Sequence, residues 1–134
     1  MASKLYQYFQ PNKKDLKDKY GDCTIRALSK ALGKSWIDTF DLCIPLMREY
    51  QVPNPFFAPI NIRRELMEKL GFDYTGISNK KGSTRPTVKQ FASKHKEGTY
   101  ILNVANHEVA CVDGKYFDTW DSGDCKLYGY FTKK

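Results

Sequence analysis

Residues 107–120 read HEVACVDGKYFDTW and place Asp113-Gly114 between two runs rich in apolar and aromatic side chains. This dipeptide is the strongest hairpin signal in the chain, because a two-residue type I′ turn needs positive φ at both positions. If the two residues form the turn, Val109 faces Asp118 across the hairpin, and directly opposed residues share one face of the sheet. The stretch therefore predicts two antiparallel strands with a defined register.

That register places His107 opposite Trp120 and diagonal to Asp118 on the same face. Diagonal neighbours lie about 7–8 Å apart at the backbone, a gap that an imidazole and a carboxylate can span with one hydrogen bond. The carboxylate would fix one imidazole tautomer and stabilise the imidazolium, while Trp120 would shield the bond from water. A lone histidine at a strand end is more often structural, and the alignment with Asp118 is what favours a functional role. Asp121 falls on the opposite face.

The residues around this hairpin predict an α+β fold. From Thr99 onward the runs TYILNVA, HEVACV, KYFDTW and KLYGYF are typical of an antiparallel sheet of four or five strands. Earlier in the chain the apolar spacing is helical, with Ile25 and Leu28 on one face and Gly33 as a stop. Later helices are predicted around residues 36–47, 62–70 and 87–92, and Pro45 should kink or end the first of these. We expect N-terminal helices packed on a C-terminal antiparallel β-sheet.

The composition is that of a globular protein. With 134 residues, 41% of them hydrophobic and 14% aromatic, we expect one domain over residues 1–134, with residues 1–20 as a partly ordered leading segment. Those first residues lack the apolar core of a secretory signal, and no apolar run approaches the roughly 20 residues that cross a bilayer. We therefore expect a cytoplasmic protein with no membrane partner.

The charge is basic, with 22 Lys and Arg against 15 Asp and Glu and a formal net charge of +7. An excess of this kind favours anionic partners such as nucleic acid, but the basic residues are scattered along the chain rather than concentrated in one element. There is no Gly-rich phosphate loop and no pair of glycosidase-like carboxylates. The sequence therefore gives little support to a nucleotide-binding enzyme or a glycosidase, and no cofactor is expected.

The four cysteines lack the spacing of a disulfide framework, so we expect free thiols in a reducing compartment. Cys43 lies on an apolar helical stripe between Phe40 and Met47, and Cys111 alternates with apolar residues in the predicted sheet. Both are predicted to lie in the core. A zinc site built from Cys111, Cys125 and His107 would lack the paired spacing of zinc motifs, so no metal is expected.

Cys23 differs from the other cysteines because it stands at the very start of the first predicted helix, after Asp22 as a plausible N-cap. Backbone N–H groups and the helix dipole at that end favour a thiolate, and a nearby imidazolium favours it further. The same N–H groups can donate to an oxyanion. A free cysteine is more often a small buried apolar residue, and the position at the helix start is what favours a nucleophile.

The segment GDCTIRALSKAL, followed much later by a strand with His107 and then by YFDTW, resembles papain-like cysteine peptidases. The phrases GDCTIRAL, FASKHKEGTYIL and DGKYFDTWDS are similar to short C39-like or papain-like proteins of bacteriophages and prophages. The resemblance spans residues 21–123. It implies a papain-like fold, with Cys23 as nucleophile, His107 as base and Asp118 orienting that base. It also implies a peptide or protein substrate and a phage protein located in the cytoplasm of a bacterial host.

One position departs from the family. Papain-like peptidases carry a Gln six residues before the nucleophile, where this chain has Lys17. Gln7, Gln10 or Asn12 could supply the missing oxyanion donor, and the spacing does not select among them. The sequence therefore leaves three alternatives. The chain is a thiol hydrolase, or a transglutaminase or deamidase that uses the same triad, or a catalytically silent papain-fold protein that binds a host protein or nucleic acid through its basic surface.

Overall fold

The computed structural model describes residues 4–14, 21–52, 59–77 and 84–134. Within these ranges the fold is α+β, as predicted, with four helices and one six-stranded sheet. Lys17 lies outside the described residues. The elements in chain order are β1 (Tyr6–Tyr8), α1 (Cys23–Leu32), α2 (Trp36–Tyr50), α3 (Ile60–Lys69), β2 (Phe72–Gly76), α4 (Val88–Lys94), β3 (Thr99–Val104), β4 (His107–Val112), β5 (Lys115–Asp118) and β6 (Gly129–Lys133).

The sheet is mixed, with strand order β1-β5-β4-β3-β6-β2. The prediction of a purely antiparallel, C-terminal sheet was wrong, because β1 pairs in parallel with β5 and β2 adds the opposite edge. β1 comes from the leading segment and has only three residues, too few for a strand period to be read from the sequence. The pairing of Tyr6 with Tyr116 holds it in place, and their rings lie 5.7 Å apart.

The hairpin between β4 and β5 has the predicted register. Asp113 and Gly114 adopt φ angles of 49° and 81°, as a type I′ turn requires, and Val112 pairs with Lys115. The ladder continues to Ala110 and Phe117. Because the turn fixes the pairing, the first residue of β4 and the last residue of β5 lie at the same end of the sheet.

Helices cover both faces of the sheet. Helix α1 packs with α2 and α3 on one face, where the core holds residues such as Leu28, Ile101 and Phe131. Helix α4 packs on the other face, against a core that includes Val109 and Tyr116. Helix α1 begins at the end of the sheet where β4 begins, so its first turn lies close to the first residues of that strand.

Helix α2 is capped by Ser35, whose hydroxyl accepts a hydrogen bond from the Asp38 N–H. The helix continues through Pro45 to Tyr50, so the prediction that Pro45 could end it was wrong. Burial of Cys43 against the other helices stabilises the segment that contains the proline. In the part of the chain that is described, no helix combines the length and the apolar character that crossing a bilayer requires.

Candidate active site

Cys23 is the first residue of α1 and carries a free, partly buried thiol. The first hydrogen bond of the helix runs from the Arg26 N–H to the Asp22 carbonyl oxygen, at 2.9 Å. The N–H groups of Cys23 and of the two residues after it therefore lack acceptors inside the helix. They surround the thiol with the positive end of the helix dipole.

Asp22 occupies the N-cap position of α1, as predicted, but its side chain makes no capping hydrogen bond. Its backbone has φ −106° and ψ 20°, outside the extended conformation that a capping side chain needs. The carboxylate instead forms an ion pair with Arg26 and accepts hydrogen bonds from Trp36 Nε1 at 3.0 Å and from Asn12 Nδ2 at 3.3 Å. These contacts anchor the backbone immediately before Cys23 and leave the helix N–H groups unoccupied by this side chain.

His107 is the first residue of β4, and its Nε2 atom lies 2.6 Å from Oδ2 of Asp118. The hydrogen bond predicted from the hairpin register is therefore present. Because Asp118 takes Nε2, the Nδ1 atom of the ring remains available to Cys23, which lies close enough to raise the pKa of the imidazole. The structure thus places the three predicted catalytic residues in one connected chain of side chains.

Asp118 is held from several sides and is only 4% exposed. Its Oδ1 accepts a hydrogen bond from the Thr119 N–H at 2.8 Å, and its Oδ2 accepts one from Ser122 Oγ at 2.7 Å. Its backbone carbonyl oxygen accepts hydrogen bonds from the Phe9 N–H at 2.9 Å and from the Tyr6 hydroxyl at 3.1 Å. The sequence analysis missed Ser122, although its place in YFDTWDS was the available signal.

Trp120 lies beside His107, as the register predicts. The two ring centroids are 5.2 Å apart with an interplanar angle of 30°. Trp120 itself is 47% exposed, so the indole covers one side of the imidazole while its own outer side meets solvent. The carboxylate of Asp121 accepts a hydrogen bond from the Tyr116 hydroxyl.

The pKa of His107 reflects opposing effects. Burial lowers it, but the hydrogen bonds and the negative charges of Asp118 and Cys23 outweigh burial and raise the pKa to about 9. The ordinary pKa of a histidine is near 6.5, so this ring keeps its second proton at neutral pH. An imidazolium in contact with a thiol favours the thiolate, which is the nucleophilic form.

Cys23 and His107 open into a cleft of about 200 Å³. Its inner wall is polar, because the buried carboxylate of Glu108 accepts a hydrogen bond from Thr24 Oγ1 at 2.5 Å and lies 3.6 Å from Arg63. Burial raises the pKa of Glu108, and Thr24 and Arg63 act in the opposite direction. This link joins the residue after Cys23 to the residue after His107. Glu108 was given no role on the basis of the sequence.

The oxyanion donors proposed from the sequence do not line this cleft. Gln7 lies in β1 and pairs with Phe117. The side-chain oxygen of Gln10 accepts the Asn12 N–H at 3.0 Å, and the amide of Asn12 is bound to Asp22.

The surroundings of the other three cysteines indicate that these residues have structural roles. Cys43 and Cys111 are buried in the core, as predicted, and burial raises their pKa values to about 11 and about 12. Burial also raises the pKa of Cys125. All four thiols are free. Across the described ranges, no three His, Cys, Asp or Glu side chains come together in a group that could hold a metal ion.

The site combines a thiol at a helix N-terminus, a protonated imidazole and a fixed carboxylate, all beside a cleft. A set of this kind is suited to nucleophilic attack on a carbonyl carbon followed by proton transfer to the leaving group. The assignment depends on this geometry, since comparison of the chain with protein-family models, curated proteins and solved structures finds no match.

Proposed function

We propose that this chain is a thiol hydrolase of the papain-like class, acting as a cysteine peptidase or an amide or isopeptide hydrolase. One observation carries the proposal: a single imidazole joins the Cys23 thiol at the start of α1 to the buried carboxylate of Asp118. A papain-like fold is supported by the packing of the helix that begins with Cys23 against the sheet that bears His107 and Asp118.

In the first half of the reaction the thiolate of Cys23 attacks the substrate carbonyl carbon, and the carbonyl π electrons move onto oxygen. The N–H groups at the start of α1 stabilise that oxyanion. The C–N bond then breaks as His107 donates its proton to the leaving amine. The product is a thioester on Cys23 and a neutral imidazole.

In the second half the neutral imidazole of His107 takes a proton from water as the water oxygen attacks the thioester carbonyl. The C–S bond breaks, the thiolate leaves, and the acid product departs. His107 is again an imidazolium. Throughout both halves, Asp118 stabilises the charged ring and fixes its orientation, which is the role of the third member of a catalytic triad.

The proposal predicts that iodoacetamide at pH 7 modifies Cys23 well before the other three cysteines. The thiolate is the reacting form, and burial raises the pKa of Cys43 to about 11 and that of Cys111 to about 12. His107→Ala should slow labelling of Cys23 about tenfold or more, because the imidazolium is lost. Peptide mapping by mass spectrometry at several times measures each rate.

Cys125→Ser is the matched control and should leave the labelling of Cys23 unchanged. Equal labelling of Cys23 and Cys125, or an unchanged rate in His107→Ala, would contradict the proposed ion pair.

The raised pKa of His107 also predicts how hydrolysis and fold stability depend on pH. The ring should lose its proton near pH 9, so hydrolysis should decline above that pH, as should the fold stability contributed by the imidazolium. Because the folded-state pKa is raised, that stability is fully present below about pH 6.5 and is lost as the pH rises through about 9. NMR titration of the His107 ring and melting temperatures from pH 6 to 10 measure both effects. A ring titration near 6.5 would contradict this account.

A further inference from the structure

Acyl transfer to a thiol needs hydrogen-bond donors for the oxygen that becomes negatively charged. Donors that already point at this oxygen before the reaction stabilise the transition state most. The first N–H groups of α1 lie on one side of the cleft. In the leading segment, Gln10 and Asn12 have their side chains bound elsewhere. Among the described residues, the side chains in the walls of the cleft are therefore the candidates for a further donor.

Asn103 lies in that wall. It belongs to β3 and pairs with Glu108 of β4, so the two side chains share a face of the sheet. That face is the one covered by α1, and the Glu108 carboxylate extends to Thr24 in the first turn of the helix. Asn103 lines the same cleft as Cys23 and is only 6% exposed.

The side-chain amide of Asn103 makes no hydrogen bond to any residue in the described part of the chain, although its backbone carbonyl oxygen accepts the Tyr128 N–H at 2.8 Å. Glu108 does not satisfy this amide, although the two residues are directly opposed. The amide is not sealed in the core, because Asn103 lines the cleft. It is thus an available donor and acceptor in the wall of a cleft that contains a thiol.

We propose that Nδ2 of Asn103 donates a hydrogen bond to the substrate carbonyl oxygen, and to the oxyanion that forms when Cys23 attacks. The assignment rests on the proposed thiol chemistry and makes Asn103 a catalytic residue. Among the other donors that line the cleft, the Thr24 hydroxyl donates to Glu108 and Arg63 Nη1 lies 3.6 Å from the same carboxylate. The substrate class that fits is a carbonyl compound with a displaceable group, such as an amide, an ester or a thioester.

Two reactions of the same thiol separate this role from a structural one. Acetylation of Cys23 by p-nitrophenyl acetate passes through an oxyanion, whereas alkylation by iodoacetamide occurs at a saturated carbon and forms none. Asn103→Ala and the nearly isosteric Asn103→Asp both remove the donor. Each should slow acetylation about 10²–10³-fold and leave alkylation of Cys23 unchanged. Asn61→Ala is the matched control, since it removes an exposed asparagine of α3 that does not line the cleft.

Unchanged acetylation in both variants would overturn the proposal, and so would an equal loss of acetylation and alkylation, which would mean that Asn103 only positions Cys23. If wild-type Cys23 is not alkylated ahead of Cys125, the proposed function itself fails. Should both variants unfold, NMR of the wild type decides. The Asn103 side-chain N–H signal should move downfield when Cys23 carries an acetyl group, and an unmoved signal would overturn the assignment.

Discussion

Cys23→Ala should lower the rate of acyl or amide hydrolysis by about 10³-fold or more, because no other group in the cleft can form the thioester. The fold should persist, since the thiol is only partly buried and its loss leaves a small gap at a helix start. Initial rates with p-nitrophenyl acetate and with a library of fluorogenic peptide amides measure the effect. Circular dichroism and thermal melting check the fold.

Cys125→Ala is the control for this change, because it removes another partly buried thiol that lies outside the cleft. It should retain the wild-type rate. A Cys23→Ala protein that hydrolyses the same substrates at the same rate would rule out thiol catalysis.

The Cys23→Ala variant also distinguishes two possible roles of the chain, catalysis by its thiol and binding through its basic surface. With a net charge of +7, the chain could act by contacting an anionic partner. In that case Cys23→Ala would keep the full biological effect, while reversal of several surface lysines would abolish it. Binding would then weaken steeply with added salt as the charge contacts are screened.

Asp118→Ala should have the second largest effect, a loss of about 10³-fold in kcat/KM. The variant removes the acceptor that fixes His107 and one of the charges that raise its pKa. The alkaline limb of the pH profile should therefore move to lower pH, which simple loss of stability would not produce. Steady-state rates from pH 5 to 10 measure both changes.

Asp118→Asn should keep more activity than Asp118→Ala, because an amide oxygen can still accept the hydrogen bond from His107. It should not restore full activity. In this variant the amide N–H₂ would take the place of Oδ1, which now accepts a hydrogen bond from the Thr119 N–H, and two donors would then face each other. Asp124→Asn is the control, because this carboxylate is exposed and pairs with Lys89. An alkaline limb that stays near pH 9 in Asp118→Ala would show that Asp118 does not set the His107 pKa.

The contact between His107 and Asp118 could be predicted because it depends on two local rules. A two-residue turn at Asp113-Gly114 fixes which residues oppose each other, and the two-residue period of a strand fixes the face on which each side chain lies. The position of Cys23 followed from helical spacing and the stop at Gly33, which adopts a left-handed conformation. Together these rules gave the geometry of the site from separate segments of the chain.

Other features depend on contacts between distant segments, which a local pattern does not encode. The carboxylate of Asp22 could cap its helix or pair with Arg26, and contacts with Asn12 and Trp36 help to decide this. Burial of Glu108 requires α1 and α3 to meet over β4, so its environment appears only in the folded chain. The parallel pairing of β1 with β5 likewise joins segments about a hundred residues apart, beyond the reach of any local period.

The anchoring of Asp118 by the first strand determines when the proposed site can assemble during synthesis of the chain. The Tyr6 hydroxyl and the Asp118 carbonyl oxygen that it contacts are 112 positions apart, and Cys23 leaves the ribosome long before His107. Contacts between such distant residues form late in folding. Until β1, β4 and β5 pair, Cys23 has no imidazole beside it. On the proposed mechanism, the thiol of a nascent chain therefore becomes reactive only after the hairpin has been translated and the sheet has formed.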